Sequence, residues 1–169
     1  MEYWFAAYVR SCCEKKAAAM LESMGIDHYL AVQHERHKWS DRFRDVDRMV
    51  IPRVIFLHTT MEGRLRALKE VPYIQRFIMA EKGAFHPAKI PDEQMEAFRF
   101  MVEHGREKIK LASVPIVPGD RCLIISGSLN GLECDVVNLK DKKYAAVRLP
   151  CIGTALANVP LDAIKKIVD

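Results

Sequence analysis

A change of periodicity near residue 106 constrains the fold of this 169-residue chain more than any other sequence feature. Before it, short strand-like runs alternate with helix-like ones. After it come four short apolar or alternating runs, 121–126, 132–139, 144–149 and 155–159, separated by Gly127, Asn130-Gly131, Asp141 and the turn 150–153. Interleaved strands and helices imply an α+β sandwich, one sheet covered by helices. Strands closely spaced between turn residues imply a small all-β barrel. The expected organisation is a first domain over residues 1–108, a linker at 109–113 and a second domain over 114–169. A barrel of about 50 residues stands at the lower limit for independent stability, which leaves room for it to lean on the first domain.

Within the first part, Trp4 to Val9 reads as a buried strand. Glu14 to Met24 reads as a helix with Ala17, Met20, Leu21 and Met24 on one face, closed by Gly25. His28 to Val32 is extended. The segment from His34 to Asp47 is charged on both faces and turns near Ser40-Asp41. A strand pair polar on both sides cannot lie over a core, so this one is expected to project into solvent as a hairpin. Val50 to Leu57 is too apolar for an exposed edge, although Pro52 and Arg53 interrupt its start. A short helix is expected at Met61 to Leu68 and a strand at Val71 to Met79. A second long helix opens at Pro91-Asp92, carries Met95, Phe98 and Val102 inward, and stops at Gly105.

Composition excludes several classes. Half the residues are hydrophobic and 28% are charged, the balance of a folded domain and not of a disordered chain. The longest apolar stretch, Met49 to Leu57, is interrupted by Pro52 and Arg53 and falls far short of the ~20 residues a membrane span needs. With no basic region or cleavage pattern at the N-terminus, the expected location is the cytoplasm. Five cysteines with no C-x-x-C pair suggest reduced thiols, with one of Cys12 and Cys13 facing the core and no function assigned to any of them. No phosphate loop, nucleophile elbow, zinc-protease or dinucleotide signature occurs, so the chain is expected not to be an enzyme and to use no cofactor. His34 and His37 lie three apart, which on a strand puts them on opposite faces and argues against a metal site. Asp45 and Asp47 share a strand face, but Arg44 and Arg48 flank them, as in a solvated ribbon.

The net charge is +4, and neither part is a polycation: 19 basic against 16 acidic residues over 1–112, and 7 against 6 over 113–169. Contact with nucleic acid must therefore come from local patches or from delivery by a protein partner. The hairpin mixes Arg36, Lys38, Arg42, Arg44 and Arg48 with Trp39 and Phe43, which suits phosphate neutralisation plus base stacking. Glu35, Asp41, Asp45 and Asp47 cancel most of that charge, so composition leaves a plain solvated ribbon equally open.

Taken together, Trp4-Phe5 through Tyr8-Val9-Arg10, Glu14-Lys15-Lys16, Met24-Gly25-Ile26 and the run from Gln33 to Leu57 resemble the N-terminal domain of the NusG family of transcription elongation factors. The stretch from Ile74 to Phe98 is similar to the end of that domain, where a strand, a loop and an I-P-D-E helix start follow one another. The stretch from Pro118 to Leu139 resembles a KOW motif, with Gly131 at its glycine and Pro118-Gly119-Asp120 as its lead-in. The resemblance implies a NusG N-terminal-like α/β sandwich followed by a small SH3-like KOW barrel.

It also implies a non-enzymatic factor that docks on the clamp helices of the largest RNA polymerase subunit and suppresses pausing or termination. Carried over by position, the apolar docking surface is Tyr8, Ile51, Val54 and Phe56. Arg10, Lys15, Lys16, Arg66 and Lys69 then lie toward the non-template DNA strand. The KOW domain implies Rho or a ribosomal protein as partner. Strand alternation puts Val54 and Phe56 on one face and Ile55 and Leu57 on the other, so only one set is expected to be exposed. Departures from the general pattern, among them a short loop between Leu57 and Val71 with no long insertion, point to a specialised paralogue of the RfaH or UpxY type, acting on long operons such as those for capsule polysaccharide. The usual F-P-G-Y is here Ile51-Pro52-Arg53-Val54, and Cys134 replaces the second KOW glycine. His58-Thr59-Thr60 is similar to a polymerase-contacting string in that branch, but its position directly after the strand argues against the same role. Alternatives are the general housekeeping factor and a free-standing KOW-type RNA or ribosome binder.

Overall fold

The computed structural model describes residues 1–113, 116–117 and 119–167; Pro118 of the motif lead-in lies outside them. Its first part is a four-stranded antiparallel sheet in the order β2-β5-β1-β6, formed by β1 (Tyr3–Val9), β2 (Asp27–Tyr29), β5 (Val54–Thr59) and β6 (Ile74–Phe77). Helices α1 (Glu14–Ser23) and α2 (Met61–Glu70) cover one face, burying Ala17, Leu21 and Ala67 against Phe5, Ala7, Val9, Ile55 and Leu57. Helix α3 (Asp92–His104) covers the other, placing Met95, Phe98, Met101 and Val102 among Trp4, Ala6, Val54 and Phe56. Strand alternation explains the division, since successive residues of β1 and β5 feed opposite layers.

The helix boundaries follow local chemistry. Gly25, at φ +69°, ends α1 in the left-handed region that a side chain disfavours. Thr60 caps α2, its hydroxyl oxygen accepting from the Gly63 N–H at 3.0 Å. Pro91 precedes the acidic first turn of α3, and Gly105 follows its last residue.

Strands β3 (Val32–Lys38) and β4 (Phe43–Met49) form a separate two-stranded sheet running from Val32↔Met49 to Lys38↔Phe43. The sequence places this projecting hairpin correctly. The next element differs from expectation. The strand expected from Val50 begins only at Val54, because Arg53 adopts φ +64° and breaks the extended backbone. Likewise the strand expected over Val71 to Met79 is confined to Ile74–Phe77. Neither Cys12 nor Cys13 belongs to the core: Cys12 is exposed with φ +59°, and Cys13 is half-buried.

The second part is a six-stranded antiparallel sheet in the order β12-β8-β9-β10-β11-β7. Its strands are β7 (Lys110–Ala112), β8 (Asp120–Ile124), β9 (Glu133–Leu139), β10 (Lys142–Leu149), β11 (Gly153–Asn158) and β12 (Ile164–Lys166). Two of these are additions to the sequence reading. Strand β7 comes from the segment expected as a linker and pairs with β11, and β12 pairs with β8. Lys140 and Asp141, both at positive φ, close the β9–β10 hairpin in the mirror-image turn that matches strand twist. Gly119 runs so close to β9 that an added Cβ would sit 1.7 Å from the Val136 carbonyl oxygen.

The two parts share one apolar core. Met95, Phe98 and Ile109 lie in the same cluster as Ile124, Leu132, Cys134, Val147 and Leu149. An open cleft of about 670 Å³ remains between α3 and strands β8–β10, lined by Glu93, Ala97, Phe100, Glu133 and Arg148 among others. The Cys151 thiol reaches across to donate to the Ala80 carbonyl at 2.7 Å. No helix among the described residues is long and apolar enough to cross a membrane.

Candidate nucleic-acid and protein interface

Three of the four apolar candidates, Tyr8, Ile51 and Val54, meet at one corner of the first sheet. Tyr8 is paired with Val54 across β1 and β5, and the turn 50–53 brings Ile51 beside them. That turn is held by backbone: the Val9 N–H donates to the Arg53 carbonyl at 2.9 Å, and the Arg53 N–H donates to the buried Glu14 carboxylate at 3.1 Å. Arg53 thus occupies a left-handed position that glycine fills without strain, which is the physical reason a glycine suits this place in the F-P-G-Y pattern. Its guanidinium donates to Gln75 at 3.2 Å.

The expectation that one face of β5 stays exposed is overturned. Val54 and Phe56 are buried on the α3 side, and Ile55 and Leu57 on the α1–α2 side. The antiparallel four-stranded sheet has a helical layer on each side here, so neither set reaches solvent. Phe56 is wholly buried, its ring 5.7 Å from that of Phe98 and 6.3 Å from that of Tyr29. It supports the surface from within. Ile51 is also buried, while Tyr8 is half-buried with the Arg76 guanidinium 5.1 Å from its ring centre.

The cationic candidates are all exposed and sit on the α1–α2 side of the sheet. Two are engaged within the chain: Lys15 donates to Asp47 at 2.6 Å, and Arg66 pairs with Glu70 at 3.1 Å. Arg10, Lys16 and Lys69 form no ion pair among the described residues, and so remain available to a phosphate. In the His58-Thr59-Thr60 string, Thr59 is buried, Thr60 caps α2, and the His58 ring lies 5.0 Å from that of Trp4.

Sequence reasoning missed how the hairpin is mounted. Gln33 is buried at its base and bonded at both ends of its amide. Its nitrogen donates to the carbonyls of Gly105 and Glu107 at 3.3 and 3.1 Å; its oxygen accepts from the Ile109 N–H at 3.0 Å and from Arg48 at 2.6 Å. Arg48 also donates to the Ile109 carbonyl at 3.1 Å and to Glu35. Partial burial pushes the Glu35 carboxyl up, but hydrogen bonds from His37 and Arg48 outweigh it and hold the group below its ordinary range. On the opposite face, hydrogen bonds from Lys15 and His34 hold Asp47 below its ordinary range.

The cysteines of the second sheet are placed as packing residues. Cys134 sits opposite Cys122 across β8 and β9, both are buried, and burial pushes the Cys134 thiol up to about 12. Such a thiol stays protonated and unreactive at neutral pH.

Residues 2–99 match the family model described as NusG, transcription termination factor nusG, so the chain belongs to the NusG family. A structure of NusG from Thermotoga maritima, described as showing domain interaction, superposes with a TM-score of 0.53 at 14% identity, covering 99% of this chain and 98% of that one. That match bears on the fold. An MjSpt4:Spt5 complex aligns over 97% of both chains at 15% identity, with a TM-score of 0.31. No curated protein matches the sequence.

Proposed function

We propose that the chain is a transcription elongation factor that suppresses pausing or termination, docking on the clamp helices of the largest RNA polymerase subunit. The observation that carries this reading is the corner at Tyr8, Ile51 and Val54, built around the left-handed Arg53 turn at the position of the family's docking surface. Because these residues share a core cluster with the six-stranded sheet, the reading requires that sheet to move away before the corner can be engaged. Arg10, Lys16 and Lys69, joined by Lys15 and Arg66 when released from their carboxylates, then face the non-template DNA strand.

The non-glycine Arg53 and the buried Cys134 support a specialised paralogue of the RfaH or UpxY type serving long operons such as those for capsule polysaccharide. Strands β8 to β12 are assigned as the KOW domain, over residues 114–169, with Rho or a ribosomal protein as its partner class; β7 joins their sheet from the segment 109–113, and the polymerase-binding domain spans 1–108.

The test is co-elution of the chain with bacterial core RNA polymerase on gel filtration. Retention with intact polymerase, its loss when the clamp helices are deleted, and weakening by Tyr8→Ala are the expected results. A folded chain that never co-elutes overturns the reading.

A further inference from the structure

The hairpin spends its charge unevenly along its length. Near its base, Glu35 is bonded to Arg48 and His37, and Asp47 to Lys15 and His34. Those two carboxylates are neutralised inside the chain. Beyond them lie Arg36, Lys38, Arg42 and Arg44 against only Asp41 and Asp45, and none of the four cations forms an ion pair among the described residues. The cancellation suggested by composition therefore holds at the base and fails at the tip.

The same tip exposes two large aromatic rings. Trp39 is 60% exposed and Phe43 57% exposed, on a ribbon with no layer on either face to cover them. Trp39 donates its backbone N–H to the Arg42 carbonyl at 2.8 Å, which closes the turn and fixes the position of its side chain's root. The Arg36 guanidinium stands 5.0 Å from the Phe43 ring centre, a diagonal pairing that places a cation against one side of that ring. Gln33, Arg48 and Lys15 anchor the base on two sides, so the tip is carried on a mounted arm and binding it requires little ordering of the chain.

We propose that this tip is a binding site for single-stranded nucleic acid, with Trp39 and Phe43 stacking on unpaired bases while Arg36, Lys38, Arg42 and Arg44 meet phosphates. Unpaired bases are the occupant these groups fit. A duplex keeps its base faces stacked internally and offers nothing to the rings, and an acidic protein surface needs the cations alone. Of the cationic residues of α1 and α2, Lys15 is bonded to the hairpin at Asp47 near its base, and the proposed site stands without any polymerase contact.

The experiment is an anisotropy titration of the full chain with labelled 12-nucleotide oligo(dT), oligo(U) and a 12-base-pair duplex. It is run at several salt concentrations, with a poly-glutamate competitor as a further arm. Single strands should bind more tightly than the duplex, and Trp39→Ala or Phe43→Ala should each weaken single-strand binding about tenfold at unchanged circular dichroism. Arg44→Ala should lower the slope of log affinity against log salt by about 0.7. A preference for oligo(U) or oligo(dT) identifies RNA or DNA as the source, and either supports the site. Equal affinity for the duplex, insensitivity to both aromatic substitutions, or full displacement by poly-glutamate at matched charge overturns it.

Discussion

Strand β5 and the β3–β4 hairpin are neighbours in sequence and opposites in environment. Every residue of β5 except His58 is buried, with a helical layer on each side. From His34 to Asp47 no residue of the hairpin is buried, and its sheet consists of its own two strands. The difference lies in how each holds its shape. Strand β5 is held by apolar burial, which is strong and insensitive to pH. The hairpin is held by its ladder, by ion pairs at its base and by one buried amide, and this leaves its tip free of structural duty.

Among substitutions that probe the two regions, the largest effect is expected at Phe56. Phe56→Ala removes a fully buried ring from between Phe98 and Tyr29 and should cost about 3–5 kcal/mol in urea unfolding. Phe56→Asp should prevent folding, so loss of polymerase binding by that variant would report on the core and not on a contact. A change below about 1 kcal/mol for Phe56→Ala would show that this layer is not the core described.

Gln33→Leu tests the hairpin's mount. It strands the Ile109 N–H and two carbonyls without their side-chain partner, at an expected cost of about 1–3 kcal/mol. Amide exchange should quicken in 32–49 more than in β1. Uniform quickening would mean that Gln33 serves the global core. Arg53→Gly works in the other direction. It relieves a left-handed arginine, and after the entropy glycine costs in the unfolded chain it should stabilise by about 1 kcal/mol or less. A destabilised variant would show that the Gln75 contact outweighs the strain.

The smallest effect is local and follows from charge. The carboxyls of Glu35 and Asp47 are held below their ordinary range in the folded chain. Their contribution is therefore complete only above the ordinary carboxyl values, at about pH 5 and higher, and is lost as pH falls through the lower folded values. In an NMR titration, amide shifts over 33–48 should move in acid before those of β5. Simultaneous movement would erase the distinction between the two regions.

Much of the fold that carries the candidate site was legible in the sequence. Charge on both sides of 34–47 marked a ribbon without a core, and Gly25, Pro91 and Gly105 marked helix ends. The cationic candidates are all exposed. What stayed hidden were contacts to anonymous backbone: Gln33 bonds Ile109 across 76 positions, and no residue type announces a carbonyl partner. Short edge strands such as β7 and β12 also escaped, since three residues carry no periodicity.

The order of elements, the α+β part followed by the all-β part, and the two-faced polarity of the hairpin are set by local pattern along the chain. These follow from side-chain period and turn chemistry, which act between near neighbours. Tertiary structure alone decided that both faces of β5 are covered, that the two parts share a core, and that the hairpin's acids are consumed at its base while its tip keeps its cations. Each of those depends on which distant groups arrive within a few ångströms, and burial and ion pairing are decided at that range.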